Sequence, residues 1–197
     1  MPAEREIRAS FDRETIVVYQ AYAQSIARPA LEQQRFVAPF SFQRMTWIKP
    51  SFLWLMHRSN WGQKKDQEQT LAIHIARSGW DKALALGVLT HCEQSIYSTP
   101  SEWECQFRDA PIHIQWDTER SLRGAALNYF SIQVGISRHL IREYNDQWIV
   151  RIEDLTPTVS RIRELLRGGR IDNAKRLLPP ERVYPLDPQV GKRILAS

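Results

Sequence analysis

The chain has 197 residues, of which 43% are hydrophobic, and this is enough for one sizeable core and favours a single domain. No apolar run approaches the roughly 18 residues that would cross a bilayer, and residues 1–6 are charged where a signal peptide needs an apolar centre, so we expect a cytoplasmic protein without a membrane partner. The net charge of +5 would favour polyanionic partners if the positive charge were gathered on one face.

The beginning of the chain predicts a flexible segment, a strand and a helix. Residues 1–14 are polar and are expected to be flexible. Residues 15–22 are rich in β-branched and aromatic side chains, which predicts a first strand. A helix should follow, with apolar side chains from Ile26 to Leu31 on one side and Pro29 in its early turns.

The most informative stretch is residues 44–61, which contains three of the seven tryptophans. Pro50 lacks a backbone N–H and favours an extended conformation at Lys49, so a strand should end there. Proline is tolerated in the first turn of a helix, which predicts a helix over residues 52–58 that Asn60 and Gly62 close. This helix is apolar on nearly every side, as expected for an element in the core. Its polar ends are therefore either hydrogen-bonded ends of a core helix or part of a site.

Several short motifs of the chain resemble a known family. The central one is RMTWIKPSFLW at residues 44–54, and the others are at residues 18–22, 34–36, 114–117, 131–135 and 148–154. Together they are similar to the signature of the domain-of-unknown-function family 4291. The resemblance extends from about residue 16 to about residue 166, so it implies one domain over most of the chain. It implies no particular chemistry.

The second half of the chain alternates between strand and helix patterns. Apolar and polar side chains alternate in four segments, which predicts strands at residues 71–76, 111–117, 129–135 and 148–152. In the first of them, His74 should face away from the apolar set. Helices are predicted over residues 83–89 with Asp81 as the N-cap, over residues 137–144, and over residues 158–167 between Thr156-Pro157 and Gly168-Gly169.

The order of these elements indicates an α+β fold, because the chain has no repeated βαβ unit and no glycine-rich phosphate loop. We expect a single domain over residues 15–178, with a mixed or antiparallel sheet and packed helices. Four prolines between residues 179 and 188 predict an extended C-terminal segment, residues 179–197, with little regular structure.

Several standard sites are excluded by their missing motifs. The chain has no GxxxxGK[ST], GxGxxG, HExxH or GxSxG sequence, and Lys49 lacks the KxDG setting of a nucleotidyl-transferring ligase. The five histidines have no ligand-like spacing, so no metal site is expected. Cys92 and Cys105 form no CxxC pair, and we expect both to be buried as small hydrophobic side chains.

A set of polar residues on the predicted strands remains. Alternation places Ser131 with Gln133 on one strand face, and Arg151 with Glu153 on another. If these faces met in one cleft, they would surround a phosphate-bearing ligand such as a nucleotide or a nucleic acid. The predicted ligand-binding residues are Tyr19, Tyr22, Lys49, Ser51, Gln115, Asp117 and Gln133.

One such arrangement resembles the ADP-ribosyltransferase superfamily, which holds NAD in a split α+β fold with an arginine or histidine, a serine or tyrosine, and a late-strand glutamate. The resemblance implies catalytic roles for Arg44, Ser131 and Glu153, with NAD as the cofactor. Glu153 would stabilise positive charge on the ribose as nicotinamide leaves. The chain departs from that pattern in two respects, since the first strand has Tyr19-Gln20-Ala21-Tyr22 in place of a cation and no STS run occurs.

The alternative is a non-catalytic nucleic-acid-binding module. Its basis is the basic excess, which includes a cluster near the C-terminus, together with aromatic residues that can stack on bases, namely Tyr22, Trp47, Trp54 and Trp61. The position of the three tryptophans on or beside the apolar helix favours a place in the core. The C-terminal cations are more typical of a solvated surface. Whether the protein is an enzyme or a binding module stays open at this level.

Overall fold

The computed structural model describes residues 3–195, and this part of the chain forms nine β-strands in three sheets with helices packed against them, which confirms the α+β class. The strands are β1 Arg8–Ala9, β2 Thr15–Tyr22, β3 Thr46–Ile48, β4 Gln69–Ala76, β5 Gly87–Leu89, β6 Ile112–Arg120, β7 Ala126–Ile136, β8 Ile149–Asp154 and β9 Arg182–Val183. The helices are α1 Gln24–Gln33, α2 Phe52–Ser59, α3 Arg77–Leu86, α4 Pro100–Asp109, α5 Ile141–Glu143, α6 Thr156–Arg167, α7 Ile171–Lys175 and α8 Pro188–Ile194, with a π-helical turn at Tyr144–Trp148. No helix within these residues combines the length and the apolar character that a membrane span requires.

The first main sheet has the strand order β2-β4-β8 and is antiparallel. The β-branched residues Ile16, Val18 and Ile73 point into the larger hydrophobic core. Side chains alternate between faces along a strand, so Val17 and Tyr19 lie on the opposite face, in a second core cluster with residues of α2 and α6. Both faces of this sheet are therefore covered by apolar packing.

The second main sheet has the order β3-β7-β6-β5, with β5 parallel to β6 and the other pairs antiparallel. Its core face carries isoleucine and valine side chains that are fully buried, including Ile112, Ile114 and Val134. Its other face is polar over the middle of β6 and β7. The strand predictions for both β6 and β7 were correct in type, although each strand is longer than the alternation indicated because the two pair as far as Arg120 and Ala126.

One backbone hydrogen bond joins the two main sheets within the described residues. The Tyr19 N–H donates to the Lys49 carbonyl oxygen at 2.7 Å, just after β3 ends. Pro50 follows, and α2 begins after Ser51, whose side chain accepts from the Trp54 N–H at 3.1 Å. The helix ends at Asn60 with φ 49°, as the sequence predicted.

The two ends of the chain are more ordered than predicted. β1 and β9 form a small antiparallel sheet, and Ile7, Ala9 and Tyr184 are buried in the larger core. The proline-rich segment contains helix α8, because Pro188 occupies its first turn and Asp187 caps it by accepting from the Gln189 N–H at 2.8 Å. Residues 1–2 and 196–197 of the two predicted segments lie outside the described residues.

Several local predictions are wrong for identifiable reasons. Asp81 lies inside α3 and accepts from the Tyr184 hydroxyl at 2.7 Å, so it does not cap a helix. Helix α4 was missed although Thr99 caps it by accepting from the Glu102 N–H. Of the predicted helix 137–144, only the short α5 and the first residue of the π-helical turn are helical. Cys105 is exposed and Cys92 is half-buried, so neither thiol is a fully buried core side chain.

Gly79 in α3 provides a test of the packing between α3 and the π-helical turn. A Cβ atom at this position would lie 2.7 Å from Cδ2 and 2.8 Å from Cδ1 of the buried Trp148 ring. Alanine normally stabilises a helix relative to glycine by up to about 1 kcal/mol. Here we expect Gly79→Ala to lower the free energy of unfolding by about 1–3 kcal/mol because the rigid ring must move. Chemical denaturation measures this, with Ser78→Ala on the exposed side of α3 as the control. A stabilised Gly79→Ala variant would contradict this packing.

Candidate functional site

A cavity of about 550 Å³ lies where β2 and β3 separate from each other. It is bounded by the end of β2, the loop before β3, β3 itself, one side of α2 and the polar face of β6 and β7. The side chains that carry its chemistry are Gln20, Tyr22, Arg44, Thr46, Trp47, Lys49, Trp54, Arg58, Asp66, Gln115 and Gln133.

Gln20 links the two sheets across this separation. Its Nε2 lies 2.7 Å from the Thr46 hydroxyl and 3.1 Å from the Trp47 carbonyl oxygen on β3. The same atom lies 2.8 Å from the Tyr22 hydroxyl on β2. Its Oε1 accepts from the Tyr144 hydroxyl at 3.0 Å. Gln20 is only 3% exposed, so these bonds form away from water and fix the shape of the cavity wall.

The floor of the cavity is a polar patch on the second sheet. The register of β6 and β7 pairs Gln115 with Gln133 and Asp117 with Ser131. Asp117 Oδ1 accepts from Gln115 Nε2 at 2.9 Å, and Asp117 Oδ2 accepts from Gln133 Nε2. One carboxylate therefore orients both glutamine amides. The predicted alternation of these residues is confirmed, and strand pairing brings their two faces together.

Three cationic side chains line the cavity. Arg44 and Arg58 are exposed, whereas Lys49 is 8% exposed. Lys49 Nζ lies 5.4 Å from the centre of the Trp54 ring and 3.5 Å from the Trp47 carbonyl oxygen. Among the described residues, none of the three cations forms an ion pair with a carboxylate.

Burial makes the Lys49 ammonium unfavourable. Burial, together with the charge of Arg58, lowers the pKa of Lys49 from 10.5 to about 8, and the charge of Asp117 partly opposes the change. A shift of this size corresponds to a cost of about 3 kcal/mol for keeping the lysine charged in the folded protein. Bound anions would offset that cost, because they favour the charged form.

Two further carboxyl groups, the buried Glu119 and the half-buried Glu181, lie close to the patch. Glu119 is 6% exposed, and burial raises its pKa although hydrogen bonds with Ser51 and Ser131 partly oppose the rise. Glu181 Oε1 accepts from the Phe52 N–H at 3.1 Å, and burial together with the charge of Glu119 raises the pKa of Glu181 to about 7. These two carboxyl groups were missed in the sequence. Glu119 continues the alternation of Gln115 and Asp117, and this signal could have identified it.

The predicted site residues divide into three groups. Five line the cavity, namely Tyr22, Arg44, Lys49, Gln115 and Gln133, and Asp117 orients two of them. Ser51 and Ser131 are buried near Glu119, and Ser51 also caps α2. Tyr19 packs against Phe52 with ring centres 5.4 Å apart and is 1% exposed, so it does not line the cavity.

Glu153 lies in the other main sheet. On β8 it forms an ion pair with Arg151, and its Oε1 lies 3.5 Å from Nε2 of His74. It does not line the cavity. The structure therefore does not bring Arg44, Ser131 and Glu153 into one site. Lining residues that were not predicted as site residues include Gln20, Thr46, Arg58 and Asp66.

Several basic residues near the C-terminus form hydrogen bonds or ion pairs with other residues of the chain. Arg163 donates to the Trp61 carbonyl oxygen at 3.1 Å, Arg182 to that of Phe11 at 2.6 Å, and Arg193 to that of Ala85 at 2.7 Å. Arg161 and Lys175 have carboxylate partners on their own helices. Within residues 3–195, no group of three or more His, Cys, Asp or Glu side chains could hold a metal ion.

Comparison with protein families gives a match over most of the chain. A family model described as "Domain of unknown function (DUF4291)" matches residues 6–184 of the 197 residues, which includes the cavity and both main sheets. A search of curated proteins found no relative of this chain.

The buried lysine predicts a pH-dependent effect on stability. The pKa of Lys49 is about 8 in the folded protein and about 10.5 in the unfolded chain, so the unfolded state binds more protons between these values. The cost of Lys49 is therefore fully present below pH 8 and disappears as the pH approaches 10.5. We expect Lys49→Met to be about 1–3 kcal/mol more stable than the parent at pH 7, with this difference vanishing near pH 10.5.

Urea denaturation at several pH values measures the difference directly. Lys65→Met, at an exposed position, serves as the control and should give a difference that does not change with pH. A Lys49→Met variant that is less stable at pH 7 would mean that the ammonium has a stabilising partner.

Proposed function

We propose that this chain, which belongs to the DUF4291 family of unknown function, uses the cavity to bind a small phosphate-containing ligand, with a nucleotide such as NAD as the first candidate. The observation that carries the proposal is the meeting of Arg44, Lys49 and Arg58 in one cavity. The only carboxylate in its described lining is Asp66, so the charge of the lining is positive.

The electrostatic argument rests on Lys49. A buried ammonium without a carboxylate partner is unfavourable, and proteins keep such groups where a bound anion can offset the cost. Arg44 and Arg58 lie nearer to solvent and can form paired hydrogen bonds to phosphate oxygens. A phosphate group bound between these cations would raise the pKa of Lys49 and hold the lysine in its charged form.

The remainder of the lining fits the other parts of a nucleotide. Gln115, Gln133 and Thr46 provide amide and hydroxyl groups that can bond to a sugar or a base, and Trp54 and Trp47 provide aromatic surface. The volume of about 550 Å³ lies within the range of small-molecule sites, roughly 300–1,000 Å³. A mainly apolar pocket without this set of donors would not favour a phosphate compound.

NAD is the first candidate because of where the cavity lies. It opens at the separation of two sheets, and the ADP-ribosyltransferase superfamily, which the sequence resembles in outline, holds NAD in a split α+β fold. The proposal concerns binding and does not depend on Glu153, because that residue is outside the lining. If the cavity catalyses a reaction of the bound nucleotide, the catalytic residue is not Glu153.

The binding test is a titration of the protein with NAD, ATP and pyrophosphate. Binding is measured by calorimetry and by the rise in melting temperature that a ligand of the folded state produces. We expect at least one of these compounds to bind, and Arg44→Ala and Lys49→Met each to weaken it at least tenfold, which is about 1.4 kcal/mol. Arg138→Ala, at an exposed arginine outside the lining, is the matched control. Affinity should fall above pH 8 in the parent, because Lys49 loses its proton there, and should not do so in Lys49→Met.

Short single-stranded DNA and RNA are included in the same titration. Binding of these alone, with a steep salt dependence and no effect of Arg44→Ala, would replace the proposal with the nucleic-acid-binding alternative. If none of the compounds and neither nucleic acid binds, both the nucleotide-binding proposal and the nucleic-acid-binding alternative are refuted.

Glu153→Gln separates ligand binding from the role that the sequence implied for Glu153. We expect the variant to bind NAD or ATP within about twofold of the parent, because Glu153 pairs with Arg151 in the other sheet. Calorimetry with both proteins measures the ratio. A tenfold loss of affinity in a variant with an unchanged melting temperature would mean that Glu153 contacts the ligand.

A further inference from the structure

A second cavity, of about 660 Å³, lies on the other side of α2. The first cavity is lined by Trp54, Leu55 and Arg58 of this helix, whereas the second is lined by Leu53, Met56, His57 and Asn60. At 100° per residue these two sets lie on nearly opposite faces of the helix. The other walls of the second cavity are the turn between β6 and β7, helix α6 and the turn between α6 and α7.

The interior of the second cavity is apolar. Met56 and Leu122 are buried beneath it, and four other apolar side chains are half-buried in its walls: Leu53, Trp61, Leu166 and Ile171. These half-buried side chains come from three helices and the turn that follows α2. An apolar ligand would remove their remaining surface from water, which is the main favourable term in binding of apolar compounds.

The rim of the second cavity is positively charged. Arg123, Arg163 and Arg167 line it together with His57, and no Asp or Glu side chain is among its described lining residues. Arg163 is fixed by bonds from Nη1 to the Trp61 carbonyl oxygen at 3.1 Å and from Nη2 to the Ser160 hydroxyl at 3.4 Å. Its Nε is buried and has no hydrogen-bond partner among the described residues.

The lowered pKa of His57 is consistent with positive charge around this cavity. Partial burial lowers the pKa of His57, and the charges of Arg120, Lys64 and Arg58 lower it further. A group with cations on several sides is in a field that attracts anions. His57 itself lines the second cavity, so these cations add to the three arginines of the lining.

We infer that the second cavity binds an amphipathic anion, a small molecule with an apolar chain or ring system and one acidic head group. The chain occupies the space between Leu53, Leu166 and Ile171, and the head group lies at Arg123 and Arg167 on the rim. A cationic amphiphile is excluded by the three arginines and a short polar anion by the apolar walls. This site is separate from the proposed nucleotide site and does not depend on it.

The test uses decanoate as the probe and measures its binding by calorimetry below the concentration at which it aggregates. We expect saturable binding of one decanoate per chain. Hexanoate should bind at least tenfold more weakly, because each methylene group removed loses apolar burial. Decyltrimethylammonium, which has the same chain and the opposite charge, should show no saturable binding.

Two variants locate the probe in the second cavity. Arg123→Gln combined with Arg167→Gln removes two exposed rim charges and should weaken decanoate binding at least tenfold. Arg176→Gln, at an exposed arginine outside the lining, is the matched control and should leave binding unchanged. Arg44→Ala in the first cavity should also leave decanoate binding unchanged, so failure of either site can be distinguished from failure of the other. Melting temperatures confirm that the variants are folded.

Decyl phosphate tests which acidic head group the site prefers. If decyl phosphate binds as well as decanoate, the site accepts either a carboxylate or a phosphate. Equal binding of decanoate by the double variant and the parent would overturn the inference. Equal binding of decyltrimethylammonium would overturn it too, because it would indicate adsorption of any apolar chain.

Discussion

The hydrogen bond from the Tyr19 N–H to the Lys49 carbonyl oxygen joins the two main sheets at one point, and Pro50 follows immediately. Proline has no N–H to donate, so the chain cannot add another ladder bond here and turns into α2 instead. Beyond this bond β2 and β3 diverge, and Gln20 spans the gap through Thr46 and the Trp47 carbonyl oxygen. The first cavity lies where the backbones of the two sheets separate beyond this bond and only side chains bridge them.

The same arrangement explains why a lysine is buried in the cavity. The Lys49 carbonyl oxygen accepts the backbone hydrogen bond between the sheets. The alternation of β3 directs the Lys49 side chain to the polar face that carries Gln133 and Gln115. The folded protein therefore carries a cation with little exposure and no carboxylate partner among the described residues. No structural ion pair accounts for such a group, and this is why we propose an anion site here.

Local signals in the sequence determined most of the regular elements. The strand over residues 15–22, the helix after Pro50 and the end of α6 at Gly168 follow from side-chain alternation, proline and glycine. Helix α2 was expected to be buried on all sides because its sequence is apolar nearly all round. The structure instead leaves Leu53 half-buried at the second cavity. β1 and β9 could not be predicted, because two-residue strands about 170 positions apart have no local pattern.

The sequence by itself determined which residues share a strand face, and it selected a polar set of ten residues, of which Tyr22, Arg44, Lys49, Gln115 and Gln133 line the cavity and Asp117 orients two of them. Only the tertiary structure decided which faces meet. Pairing of β6, β7 and β3 in one sheet placed Gln115, Gln133 and Lys49 together, whereas pairing of β8 with β4 placed Glu153 in the other sheet. The physical reason is that alternation fixes the direction of a side chain relative to its own strand, but the partner strand is chosen by contacts distant in sequence.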